Sequence, residues 1–323
     1  MSAEDTSIDA LLKLGEGGPT HQKKSLYVKV GTGQNSSREA IESVTEEMGE
    51  QAVRDRFGFI PTSILRFDRN KEMMEVLDDT SKVRGRLRSE LGGGYASKLR
   101  FSMYNLDAAK FFLDYYMPPK AHVLDPFMGR GSRSTAAHLL DMGYVGFDTC
   151  RETIQVNRDL MAKHTGSSEL PEGWQFHHGD GTALTPYEGQ QDVFDGCFTC
   201  PPYYSTEEYS GEPGDLSHVS VAEFDKAIDR LFTHLHRLVK PSGKHRPDIH
   251  PVVITVGTFR RGELGLVDMD HQFQSSAAKA GFLLHDKVIT HNIPPAAGFT
   301  FRRNFGSGFV CKAHETTLVF VKR

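Results

Sequence analysis

The stretch AHVLDPFMGRGSRSTAAHLLDMGYVGFD, residues 121–148, passes from a short apolar strand through a glycine-bearing turn into a helix. It then enters a second strand that ends in an acid. A chain built on that unit is committed to one architecture: strands alternating with helices of these lengths form a mostly parallel, doubly wound α/β sheet with helices on both faces. The C-terminal part repeats the pattern. Seven strands are predicted, at 122–124, 144–147, 174–177, 193–199, 251–256, 282–290 and 316–321. Helices are predicted at 106–116, 132–142, 152–163 and 221–239. The last of these carries the clearest signal. Ser220 and Glu223 fit a capping box, and Phe224, Ala227, Ile228, Leu231, Leu235 and Leu238 line one apolar stripe before Lys240-Pro241-Ser242-Gly243 stops the helix.

Ahead of this region the pattern differs. Residues 1–22 are polar and glycine-bearing, and are expected to be loose. Residues 23–95 are charged and helix-like, with Ile41, Val44, Met48 and Val53 at helical spacing, and are expected to form a helical accessory region. Gly92-Gly93-Gly94 breaks the chain and sets the expected boundary of a second domain, 96–323. The 323 residues carry 38 Lys+Arg against 42 Asp+Glu, a formal net charge of -4, which excludes a polybasic tail but not local basic patches. The four cysteines do not make a disulfide framework in a chain this long. Residues 1–20, with Glu4, Asp5 and Asp9, read as neither a signal peptide nor a membrane span, so a cytoplasmic protein is expected.

In doubly wound sheets, ligands bind beyond the carboxyl ends of the strands, where the strand order reverses. Asp125 ends the first strand of the unit, Asp148 the second and Asp180 the third. Gly129 and Gly131 let the main chain turn tightly and approach a ligand. Asp148 falls at the offset of roughly twenty residues at which a carboxylate meets ribose hydroxyls. Each acid alone is ordinary turn chemistry; three at successive strand ends, one followed by G-x-G, point to a nucleoside site. The turn lacks the GK[ST] ending of a phosphate loop and the full G-x-G-x-x-G of a dinucleotide site. S-adenosylmethionine is the natural candidate.

The strand FDGCFTCPPYY stops at Pro201-Pro202, because proline cannot donate to a sheet ladder. Two rigid prolines present Tyr203 or Tyr204 on a stiff mount where a planar base could stack, worth about 1–3 kcal/mol. That compares with the few kcal/mol needed to extrude a base from a duplex. The alternative is a strand end whose aromatic turn packs on the core. Cys197 and Cys200, C-x-x-C on one strand, point to opposite faces, and no metal site is expected.

Taken together, DPFMGRGS and CPPYY resemble the cofactor and catalytic motifs of the DNA methyltransferases that modify adenine N6 or cytosine N4. FSMYNLDAAKFF, YSGEPGDLSHVSVAEFDKAIDRLFTHLHRLVKPSG, VVITVGTFRRG and HETTLVFVKR also look like that family, particularly its versions in bacterial viruses. The resemblance spans residues 96–323. It implies a Rossmann-like methyltransferase fold in which S-adenosylmethionine is held by Asp125, Pro126, Phe127, Gly129, Gly131, Ser132, Asp148 and Asp180, with Phe101 or Tyr104 as a cofactor wall. Cys200, Pro201, Pro202 and Tyr203 would hold the target base, with Tyr204 beside them. The family usually has Asp or Ser where this chain has Cys200, and a thiol sulfur is a weak acceptor, so the choice between adenine and cytosine stays open.

DNA contacts are expected from loops beyond the strands: Arg260 and Arg261 in RRGELG, and Arg302, Arg303 and Lys312 in FTFRRNFGSGFVCK. Arg84, Arg86, Arg88, Lys98 and Arg100 form a further basic cluster, and any one of these groups could equally be a solvated charged face. Three other readings compete: methylation of an RNA amino group, a pyrimidine-C5 enzyme using Cys200 as nucleophile, and a non-catalytic cofactor-binding module. The N-terminal region fits a recognition domain, an oligomerisation element making a homodimer, or a cap over the cofactor.

Overall fold

In a computed structural model the chain is described at residues 50–57, 59, 61–67, 104–203, 212–217, 219–261, 265–291, 306–310 and 312–323. It divides into two compact units, residues 1–58 and 59–323. Of the first, the described part is a helix, α1 (Glu50–Phe57), inside the segment expected to be helical.

The second unit is built on an eight-stranded sheet. In chain order its strands are β1 (Ile64–Arg66), β2 (His122–Asp125), β3 (Gly143–Asp148), β4 (Gln175–His178), β5 (Gly196–Thr199), β6 (Val252–Val256), β9 (Leu283–His291) and β10 (His314–Val321). A separate hairpin pairs β7 (Phe259–Arg261) with β8 (Gly265–Val267). The sheet order is β1-β9-β10-β6-β5-β2-β3-β4. All neighbours are parallel except β10, which runs antiparallel to both β6 and β9. From the centre the order grows outward in opposite directions, through β2, β3 and β4 on one side and through β5 and β6 on the other. The reversal lies between β2 and β5, where open α/β sheets form their ligand crevice.

The helices of this unit are α2 (Leu106–Tyr116), α3 (Ser132–Leu139), α4 (Arg151–Thr165), α5 (Val221–Leu238) and α6 (Met269–Lys279). On α5 the capping box is complete, and every residue of the expected stripe is buried, joined by Phe232. Each large apolar side chain so buried contributes about 1.5–3 kcal/mol. Helices α5 and α6 cover one face, where Phe224, Leu231 and Phe273 pack with Leu124, Ile254 and Leu318 from the strands. On the other face Phe112 of α2 packs against Phe198 of β5. Among the described residues no helix is long and apolar enough to cross a membrane.

The seven expected strands are present, with four corrections. An eighth, β1, is drawn from residues 64–66, inside the segment assigned to a separate accessory region; its three residues pair with β9 and belong to the sheet. Strand β5 begins at Gly196 rather than residue 193, because the Val193 and Phe194 amides bond instead to the Leu238 carbonyl at the end of α5. Helix α3 ends at Leu139 rather than 142, as Asp141 takes a positive φ of 55°. Arg260 and Arg261, expected in a loop, lie in β7.

Candidate functional site

Asp125, Asp148 and Thr199 all end strands at the carboxyl edge of the sheet, around the reversal between β2 and β5. The chain then bends through Gly129 and Gly131, both at positive φ (55° and 88°), and α3 starts at Ser132. The bend is held from behind. Asn157 of α4, fully buried, donates from Nδ2 to the Gly129 carbonyl at 2.7 Å and accepts from Ser134 Oγ at 2.7 Å. A side chain at Gly131 would crowd the end of Leu160, and the positive φ is what favours glycine there.

The three acids have three different positions. Asp125, expected to hold the cofactor, is 0% exposed and faces inward. It accepts from Arg133 Nε at 2.7 Å, Tyr144 Oη at 2.6 Å and Thr199 Oγ1 at 2.7 Å. Arg133 also donates to the Phe127 carbonyl, and its guanidinium lies over the rings of Tyr104 and Phe198. Burial opposes the Arg133 charge most strongly, but Asp125, with Cys200 and Tyr144 adding to it, holds the guanidinium pKa above its ordinary value. Asp125 is thus a positioning group beneath the bend, and not a surface that a ligand touches.

Asp180, expected at the adenine edge, is also engaged. Arg230 of α5 donates to its Oδ2 at 2.7 Å, and the Thr182 amide and hydroxyl donate to its Oδ1 at 2.8 and 2.7 Å. Gly214 packs directly on its Cβ, leaving no room for a side chain. The next residue, Gly181, sits against the Pro126 carbonyl, where a Cβ would overlap it. This close approach locks the loop after β4 onto the loop after β2.

Asp148 is part-exposed at the rim, as Asp180 is, and of the three acids it meets the fewest donors among the described residues. The Gly129 amide donates to its Oδ2 at 3.2 Å and the Cys150 amide to its Oδ1 at 2.9 Å. A carboxylate has about four lone-pair sites, so two amides leave acceptor capacity on both oxygens. Burial, reinforced by the carboxylates of Asp125 and Asp215, pushes its carboxyl up to about 7 against the pull of those amides.

The proline-ended strand is tied to this bend through one hydroxyl. Thr199 Oγ1 donates to Asp125 and accepts from the Phe127 amide at 3.2 Å, joining the ends of β5 and β2. Cys200 follows, half-buried; Pro201 is buried and Pro202 half-buried. Tyr203 donates its hydroxyl to Glu315 of β10 at 2.8 Å. Its ring lies near-parallel to Phe259 of β7 at 6.3 Å, with Lys312 Nζ 4.8 Å from its centroid. Tyr104 donates to or accepts from Thr255 Oγ1 at 3.0 Å and packs edge-on to Phe198, and burial raises its pKa.

Of the expected residues, then, Tyr104, Pro126, Phe127, Gly129, Gly131, Ser132, Asp148, Cys200, Pro201, Pro202 and Tyr203 gather around the reversal point. Asp125 supports it from below, and Asp180 supports the neighbouring loop. Lys312 stands near Tyr203, while Arg260 follows Phe259 in β7 and lies over the Phe309 ring. Phe101, Tyr204, Arg302, Arg303 and the Arg261 side chain lie outside the described residues, as does the cluster from Arg84 to Arg100. Sequence reasoning missed Arg133, Tyr144, Asn157, Thr199 and Gly181. Only Gly181, in the GDG after β4, had a local signal.

The residues around the bend fit a nucleoside cofactor bearing an amino-acid tail. The Ser132 hydroxyl, on a residue 3% exposed at the first turn of α3, has no hydrogen-bond partner among the described residues. The α3 N-terminus has no side-chain cap, which leaves backbone amides for an anionic group. Among the described residues no cluster of metal-ligating side chains is present.

No protein-family profile matches the sequence, and no curated protein matches it. Solved structures resemble the fold. TrmN from Thermus thermophilus aligns over 68% of this chain at 15% identity with a TM-score of 0.42, and the chain spans about half (49%) of TrmN's length. A SAM-dependent methyltransferase from Methanosarcina mazei aligns over 65% of this chain and 96% of its own, at 11% identity and a TM-score of 0.44. A geranyl diphosphate methyltransferase complexed with GPP and sinefungin aligns over 68% of this chain and 79% of its own, at 11% identity and a TM-score of 0.45. The strand order itself defines the class: a Rossmann-like, mostly parallel doubly wound α/β protein with one reversed strand.

Proposed function

We propose that this chain is an S-adenosylmethionine-dependent methyltransferase that modifies an exocyclic amino group of a base in DNA, adenine N6 ahead of cytosine N4. One observation carries the reading. Thr199 joins the glycine bend to the Cys200–Pro201–Pro202 strand end, so a donor on the bend and a planar acceptor at the strand end would be neighbours.

In this reading Asp148 accepts from the cofactor ribose hydroxyls, and Ser132 with the α3 amides takes the carboxylate tail. When bound, the cofactor supplies an electrophilic methyl. The protein's own part is positional. An aromatic amine is a weak nucleophile because its lone pair is delocalised into the ring. Carbonyl acceptors at Cys200 and Pro201 would draw on the amino hydrogens and localise that pair. Holding the nitrogen at about 3–3.5 Å from the methyl then supplies most of the acceleration. The amino proton leaves to water after transfer, and no strong base is needed.

The test is labelled methyl transfer to duplex DNA and, separately, to bulk RNA, followed by digestion to nucleosides and mass measurement. N6-methyladenine or N4-methylcytosine from DNA supports the reading. A product confined to RNA, 5-methylcytosine, or cofactor binding with no product at all would overturn it.

A further inference from the structure

The chain from 306 to 310 places two large apolar side chains in water beside the candidate base site: Val310 is 87% exposed and Phe309 43%. Neither is a stray surface residue. The Arg260 guanidinium lies over the Phe309 ring at 4.0 Å, so the turn is braced on β7. Successive residues of a strand face opposite ways, and here Phe259 meets Tyr203 while the next residue, Arg260, meets Phe309. Two residues beyond Val310, Lys312 stands over the Tyr203 ring. An apolar tip is therefore fixed, through one strand and two cations, to the tyrosine of the proline-ended motif.

An exposed apolar patch flanked by Arg and Lys suits a duplex better than an apolar protein surface. The cations meet phosphates, and apolar side chains entering a base step unstack it. We propose that Phe309 and Val310 form a wedge that enters the DNA stack and stabilises the extruded state of the target base. This rests on the DNA reading above and adds the positioning residues for it. The wedge touches neither cofactor nor the reacting amine, so its effect is confined to substrates in which the base begins stacked and paired.

The experiment compares plasmid DNA with the same DNA heat-denatured to single strands, under single-turnover conditions with labelled cofactor. The Phe309→Ala/Val310→Ala variant should slow transfer to duplex on the order of tenfold, because extrusion then lacks its wedge. Transfer to single strands should stay within about twofold, the base there being largely unstacked already. Val310→Leu, which keeps an apolar tip beside Phe309, should retain much of the duplex rate. Equal slowing on both forms, or an unchanged duplex rate, would overturn the wedge and leave the tip as a contact for another protein. If the unsubstituted chain modifies neither form, the DNA reading fails and the wedge fails with it. Thermal melting checks that the exposed substitutions leave the fold intact, and Val310→Ala alone serves if the double variant melts early.

Discussion

Thr199 and Asp125 share a hydrogen bond of 2.7 Å that crosses from the end of β5 to the end of β2. It ties together the two motifs that define the candidate site, and both residues are fully buried. Thr199→Val keeps the shape but removes one donor from Asp125 and one of the two acceptors of the Phe127 amide, which keeps its bond to Asp125. A hydrogen bond to a charged group is worth about 1.5–3 kcal/mol. Urea unfolding should show a loss of that size, with weaker binding of S-adenosylhomocysteine. Thr199→Ser should recover most of both, and unaltered stability in the valine variant would refute the role.

Arg133 is the larger dependency. It is 4% exposed and paired with Asp125. Removing one partner of a buried ion pair costs about 3–5 kcal/mol because the other charge is stranded. Arg133→Met should therefore lower the unfolding midpoint more than any single change at Asp148, measured side by side in urea.

Asp148 sets a pH dependence that binding can read. Its folded pKa of about 7 stands above the unfolded value of 3.8. The stability it contributes is fully present below the unfolded value and is lost as pH rises through about 7. The ionised form is the better double acceptor for a ribose diol, so affinity for S-adenosylhomocysteine should rise as pH passes upward through that range. Asp148→Asn should bind poorly and abolish the step, and should be relatively more stable than the parent at alkaline pH. Calorimetric titration across pH, paired with melting curves, distinguishes these effects; an unchanged step in the asparagine variant would exclude Asp148.

Histidines govern the acid limb. Burial lowers the pKa of His122, His164, His177, His234 and His236 from the ordinary 6.5, and at His164 the stacked His138 adds to the effect. The unfolded chain then binds protons more readily, so stability is intact above the unfolded pKa and falls as pH drops below 6.5 toward the folded values. Replacing His164 with Gln should flatten that decline, seen in urea midpoints measured across the acid range.

The proline-ended strand makes the catalytic prediction. Pro202→Ala and Tyr203→Ala should abolish methyl transfer while cofactor binding persists. Tyr203→Phe, which loses the bond to Glu315 but keeps the ring, should retain a reduced rate. Full activity in both alanine variants would move the base site elsewhere.

What could be read locally was read well. The capping box of α5 and its stripe depend on residues within one helix, and they appear where expected. Helix α6 was missed although Asp268 caps it and Met269, Phe273 and Ala277 recur every fourth residue; the apolar face is thin and its other positions are polar. Strand β1 had no readable signal. Three residues become a strand only because β9, far along the chain, offers them an edge.

The same division applies to the site. Glycines at a strand-to-helix bend, acids at strand ends and prolines closing a strand are backbone requirements, so the amino-acid order alone determined which segments would meet at the carboxyl edge of the sheet. Which acid is least engaged there was decided by the tertiary structure. Arg133, Tyr144 and Thr199 enclose Asp125, Arg230 from α5 engages Asp180, and Asp148 is left at the rim. Most of those partners come from other strands and helices, and a carboxylate's role depends on which donors the folded chain brings within hydrogen-bonding reach.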